Sequence, residues 1–146
     1  MIVRTAVCAA LAVAFSVSAV IAQSKAIGER REIMKGVGAA AKDGAAMARG
    51  SAPYDNAKAV EVFVVYANAA AKMPALFPDD SKSGGETTAA PKIWEDMAGF
   101  KAGFAKMESE AKAAQASVKD IDSFKTAFGA MGKQCGACHE VYRIKK

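Results

Sequence analysis

At 146 residues the chain is long enough for one domain with a hydrophobic core and too short for two. Its formal charge of +5 comes from 20 basic and 15 acidic residues scattered among one another. No stripe of basic and aromatic side chains forms, which argues against nucleic-acid binding.

The first segment, "MIVRTAVCAALAVAFSVSAVIAQSK", carries one early positive charge at Arg4, then an apolar run from Ala6 to Ala22 that ends in small residues. This is the pattern of a secretory signal. Cleavage is expected between Ala22 and Gln23, with Val20 and Ala22 read by the peptidase; a cut after Ala19 is the alternative. An uncleaved anchor is the competing reading, because the run approaches the ~20 residues that span a bilayer. Its richness in Ala and Ser makes it a weak span. Loss of residues 1–22 leaves 19 basic and 15 acidic residues, a charge of +4, and no membrane segment is expected in the mature chain. It also removes Cys8, so Cys135 and Cys138 are the only cysteines of the mature domain, residues 23–146.

Four segments of that domain show helical periodicity and none alternates as a strand does. In the first, Ile27, Arg30, Met34, Val37, Ala41, Ala45 and Ala48 share one face, and the pattern stops near Gly50. The second starts after Asp55, a good N-cap residue. Its expected face is Val60, Phe63, Val64, Ala67 and Ala71, with Pro74 bending or ending it. Residues Pro78 to Ala90 then form one long polar loop. A third helix is expected from Pro91, a residue suited to the first helical position. Its stripe is Ile93, Met97, Phe100, Phe104, Met107 and Ala111, with Trp94 beside it. The fourth opens near Asp120 or Asp122 and carries Ile121, Phe124, Phe128, Met131, Cys135, Cys138 and Tyr142 on one stripe. Four amphipathic helices predict an all-α fold, an antiparallel four-helix bundle, whose many alanines leave room for something larger than a side chain.

The stretch "KQCGACHE" places both mature cysteines and the single histidine, His139, within five positions. A redox disulfide of the thioredoxin type needs its cysteines at a helix start after a strand, and here they lie deep in a helix. Structural zinc needs four ligands, and no other His or Cys exists in the mature chain. The remaining reading is C-x-x-C-H as a covalent haem c attachment site. Cys135 and Cys138 project from one helical face toward the two vinyl groups, and His139, one turn beyond Cys135, reaches the iron.

A C-x-x-C-H at the end of the last of four helices resembles the class II cytochromes c, in particular cytochrome c′. "AIGERREIMKG" is similar to that family's first helix, "PYDNAKA" to the start of its second, and "MPALFPDDSKSGGETTAAPKIWEDMAGF" to its loop and the opening of its third helix. The resemblance implies a periplasmic bundle, usually a homodimer, with one haem c per chain. It gives Cys135, Cys138 and His139 the attachment and proximal roles, and Arg143 a proximal-side place. It sets Arg30, with Arg31 beside it, near the haem propionates, and Phe77 and Glu86 in a loop close to the haem. Met34 falls on the distal side, facing the sixth coordination position.

Each assignment has a plainer counterpart. Arg31 reads equally as a solvated helix charge, whereas Arg30 shares the apolar stripe and so needs an anionic partner. Phe77, Phe128 and Met131 fit core positions with or without a cofactor, Trp94 fits helix packing and Tyr142 closes the bundle end. If Met34 ligates iron, the protein is a low-spin carrier; if it only crowds the site, iron is five-coordinate and open to nitric oxide or carbon monoxide. The arginine at position 30 matches the five-coordinate members better. The expected function is one-electron transfer between periplasmic partners, with gas binding as the alternative. An enzyme such as a peroxidase lacks a distal acid or base.

Overall fold

In the computed structural model the backbone is described for residues 2–145 and the side chains for residues 25–145; the expected leader, residues 1–22, lies outside the latter range. The helices are α1 (Ile2–Ala48), α2 (Asn56–Lys72), α3 (Lys92–Glu95), α4 (Met97–Ser117) and α5 (Ile121–Tyr142), and no strand occurs among the described residues.

Local chemistry sets most of the boundaries. After α1 the chain turns at Gly50, whose φ of 75° lies in the left-handed region that costs glycine nothing. Asp55 caps α2 by accepting from the Lys58 amide at 3.0 Å. Pro74 has no N–H to donate, so α2 stops at Lys72 and tightens into a 3-10 turn over Met73–Leu76. Asp120 opens α5 with a capping box, its carboxylate accepting from the Ser123 amide at 2.8 Å while Ser123 Oγ accepts from the Asp120 amide at 3.1 Å.

Two elements depart from the sequence pattern. The expected third helix is broken, because Pro91 leads into a single turn, α3, and the backbone leaves helical geometry at Asp96. There the Asp96 side chain accepts from the Gly99 amide at 3.1 Å and starts α4 afresh. An Asp that bonds nearby amides competes with the continuing helix, and an unbroken apolar stripe conceals it. In α2 the buried stripe is turned toward Ala59, Val62, Phe63, Tyr66, Ala67, Ala69 and Ala70. The expected Val60 and Val64 are only half-buried and Ala71 is exposed. Alanines on several sides of that helix leave its periodicity too weak to fix the orientation.

The long helices form the expected antiparallel four-helix bundle. Helix α1 packs on α2 and α5, and α4 packs on the same two. The opposed direction of α1 and α5 shows in their contacts: Gly44 lies against Phe128, while Met34 faces the cleft shared with Cys138. One end of the core is an aromatic group of Tyr54, Phe63, Phe124 and Phe128. The other end joins Phe77, Trp94, Phe100, Phe104 and Tyr142, and the functional cleft opens there.

Close approach of α1 to α5 depends on a missing side chain. A Cβ at Gly44 would lie 2.5 Å from the Phe128 ring. We expect Gly44→Ala to cost about 1–3 kcal/mol of stability, as overpacking does, although alanine is the better helix former. Denaturant unfolding measures it, and an unchanged or raised midpoint would contradict the packing.

Candidate haem site

Helix α5 delivers the cysteines to a cleft whose opposite walls are α1 and α4. Cys135, Cys138, His139 and Gln134 come from α5, Met34 and Val37 from α1, and Gly103, Phe104 and Met107 from α4. Cys135 and Cys138 are half-buried free thiols. Burial pushes both thiols above their ordinary pKa, and for Cys138 the neighbouring Cys135 adds to it. A reactive redox pair needs the opposite shift, so the geometry disfavours that reading. His139 lies at the cleft's edge; desolvation, then the charge of Arg143, lowers its pKa and favours the neutral imidazole that binds metal. Among the described residues no group of three or more His, Cys, Asp or Glu side chains is arranged to hold a metal ion.

Arg30 is buried at 5% exposure. Its guanidinium sits 4.5 Å from the centre of the Phe77 ring, and Nη2 donates to the Ser81 carbonyl at 3.1 Å. Burial lowers its pKa, yet a guanidinium stays charged at any physiological pH. Nη1 is buried with no hydrogen-bond partner among the described residues. An orphaned buried donor on a cation marks a place for an anion. Two free thiols on one helical face, an imidazole beside them, apolar walls and an unspent cationic donor fit a covalently attached haem with acidic propionates.

Arg30 and the other expected site residues, Arg31, Phe77, Glu86 and Arg143, are not among the residues that line the cleft. Phe77 is buried between Arg30, Trp94 and Phe100. Arg31 meets Glu86 at 2.6 Å, both largely in water, which ties the long loop to α1 but contributes little stability. Arg143 is exposed just past α5. That end of the helix is pinned by the Tyr142 hydroxyl, which donates to Asp96 at 2.7 Å, and by the amides of Ala90 and Ile144, which donate to the Tyr142 and Thr88 carbonyls at 3.0 and 2.9 Å.

These bonds carry a pH dependence. The Tyr142 hydroxyl and the Gly99 amide hold the Asp96 carboxyl below the ordinary carboxylate range, and Ser123 does the same for Asp120. Both groups bind protons less readily folded than unfolded, so their stabilisation is complete above the ordinary carboxylate pKa and is lost as pH falls through the lowered values. Tyr142→Phe is therefore expected to flatten the acid limb of a plot of stability against pH. An acid limb identical to that of the parent would refute the link.

Two cleft residues escaped the sequence reading. Gln134 sits one helical turn before Cys138 and donates from Nε2 to the Gly103 carbonyl at 3.2 Å. Gly103 forms a bare patch of wall, where an added Cβ would meet nothing within 4 Å. The only sequence signal was position: Gln134 adjoins Cys135, and Gly103 precedes Phe104 on the core stripe.

Residues 25–143 match the family model described as Cytochrome C'. Cytochrome c′ of Rhodopseudomonas palustris is 44% identical over 126 residues, covering 86% of each chain. Cytochrome c-556 of the same organism is 32% identical over 139 residues, covering 92% of this chain and 93% of that protein. The solved structure of the R. palustris cytochrome c′ aligns with a TM-score of 0.80 at 45% identity, covering 83% of this chain and 97% of that one. A nitric oxide complex of a cytochrome c′ point mutant from Alcaligenes xylosoxidans aligns at 0.74 with 28% identity, covering 84% of this chain and 97% of that one. With the bundle, the C-x-x-C-H on its last helix and a family match over residues 25–143, the protein belongs to the cytochrome c′ family and its cofactor is haem c.

Proposed function

We propose that the protein is a periplasmic c-type cytochrome that passes single electrons, with a five-coordinate, high-spin iron. The observation that carries this reading is the cleft shared by Cys135, Cys138, His139 and Met34, with the orphaned Arg30 donor one helical turn before Met34 on α1. The two thiols would hold the group by thioether bonds and the neutral His139 imidazole would bind its iron, with Arg143 nearby at the end of α5. Arg30 Nη1 binds a propionate, with Arg31 and Glu86 closing the loop over the same end. Val37, Phe104 and Phe77 keep the surroundings apolar, which sets the potential. When bound, haem would supply the one-electron couple and, if its iron kept a free coordination position, a site for a small neutral gas.

Binding of nitric oxide or carbon monoxide is the second reading, favoured by the half-buried, apolar Met34 side of the cleft and by the relative solved as a nitric oxide complex. Methionine ligation by Met34 is the third, supported by the place of its thioether side chain in the same cleft as the cysteines and His139. The apolar run at residues 1–22 supports export, and the homodimer rests on the family resemblance. Absorption spectra of the ferric and ferrous protein, with and without carbon monoxide, separate these readings. A high-spin spectrum that shifts with the gas is expected. A low-spin spectrum with a sulfur-to-iron charge-transfer band and no gas response would overturn five-coordination and make Met34 the ligand.

A further inference from the structure

Gln134 is the polar group on the cleft wall that haem attachment leaves unexplained. Its carboxamide is half spent: Nε2 donates to the Gly103 carbonyl of α4 at 3.2 Å, while Oε1 is buried with no hydrogen-bond partner among the described residues. An unpaired buried acceptor costs about 1–3 kcal/mol, so a side chain of this kind beside Cys135 is a poor choice for packing alone. The walls around it are apolar or sulfur-bearing, namely Val37, Phe104, Met34 and Met107. In such surroundings the effective dielectric is low and a fixed dipole acts strongly.

The bond to Gly103 fixes the orientation of the amide. With Nε2 committed to α4, the oxygen, which bears the partial negative charge, is the end left buried without a partner in a residue that lines the cleft. Gly103 supplies its carbonyl as the anchor and, lacking a side chain, adds no bulk to the cleft wall.

We infer that Gln134 is a positioning residue that lowers the reduction potential of the haem by presenting an uncompensated carbonyl dipole to it. The physical reason is charge: ferric iron carries one more positive charge than ferrous iron, so a nearby negative dipole favours the oxidised state. This inference rests on the haem reading of the cleft.

The test is a spectroelectrochemical titration of the purified holoprotein and two variants. Gln134→Leu removes the dipole and is expected to raise the ferrous-to-ferric ratio at a fixed applied potential by about threefold to tenfold, up to ~59 mV for a one-electron couple. Gln134→Glu adds negative charge and is expected to shift the ratio the other way. Unfolding is measured on the same samples, because a role limited to packing moves stability and leaves the potential unchanged. Potentials equal to that of the parent in both haem-bearing variants, or a shift of the same sign in both, would overturn the inference. Absence of covalent haem from the parent would instead defeat the haem reading itself, so the two failures are distinguishable.

Discussion

Replacing Phe124 by alanine is expected to lower stability by about 3–5 kcal/mol, the range for a buried aromatic truncated in a close-packed core. Phe124 is fully buried at 0% exposure and is the hub of the aromatic end of the bundle. Its ring lies 5.9 Å from Phe63, 6.1 Å from Tyr54 and 5.3 Å from Phe128, so it joins α2 and the α1–α2 connection to α5. The loss combines transfer of the ring to water, a cavity that the neighbours fill only partly, and the edge and stacking contacts. Phe128, stacked on Phe124 and close to Gly44, then loses one side of its support. Equilibrium denaturation of the holoprotein measures the effect, and a loss below about 1 kcal/mol would mean that the core collapses around the gap. Because this cluster lies at the opposite end of the bundle from the cleft, the haem spectrum of the folded variant should be unchanged.

The second large effect is expected at His139. In His139→Gly the cysteines are untouched, so the haem should remain attached while its axial ligand is lost. Loss of even an outer-shell partner typically costs 10–100-fold in metal affinity or activity, and removal of the ligand itself should slow electron exchange by at least that factor. Rescue separates ligation from folding: added imidazole should restore a spectrum close to that of the parent. Failure of imidazole to change the spectrum, or a variant spectrum identical to the parent's, would exclude His139 as the proximal ligand. The site also predicts a neutral imidazole before ligation, since desolvation and Arg143 both lower the pKa of His139.

The fold was legible where periodicity and punctuation agree. Asp55, Gly50 and Asp120 mark their boundaries by chemistry that needs no tertiary contact, and the stripes of Phe100, Phe104 and Met107 or Phe124 and Met131 point to the core. The break at Asp96 was hidden because Ile93, Met97 and Phe100 keep helical spacing across it, and only the bond from the Gly99 amide reveals the new start. The orientation of α2 was hidden by alanine, whose small side chain marks no face clearly. Within the site, the cysteines and histidine stood out because thioether attachment needs those residue types at that spacing, and the structure sets all three on one cleft. Arg31 and Glu86 were named from the family resemblance, and their mutual ion pair, formed where the loop folds back on α1, carries no signal in the sequence. Gln134 and Gly103 carry no chemical signature of their own. Their role arises from a contact between helices at positions 31 residues apart.

Covalent attachment of haem through Cys135 and Cys138 is the claim on which the rest of the site depends, and the mass of the denatured protein after acid–acetone extraction tests it most directly. The parent chain is predicted to retain haem mass, each single Cys→Ala variant to retain haem through one thioether at most, and the double variant to lose it entirely. A parent chain that releases its haem on extraction, or a single variant that still carries two thioethers, would contradict the account.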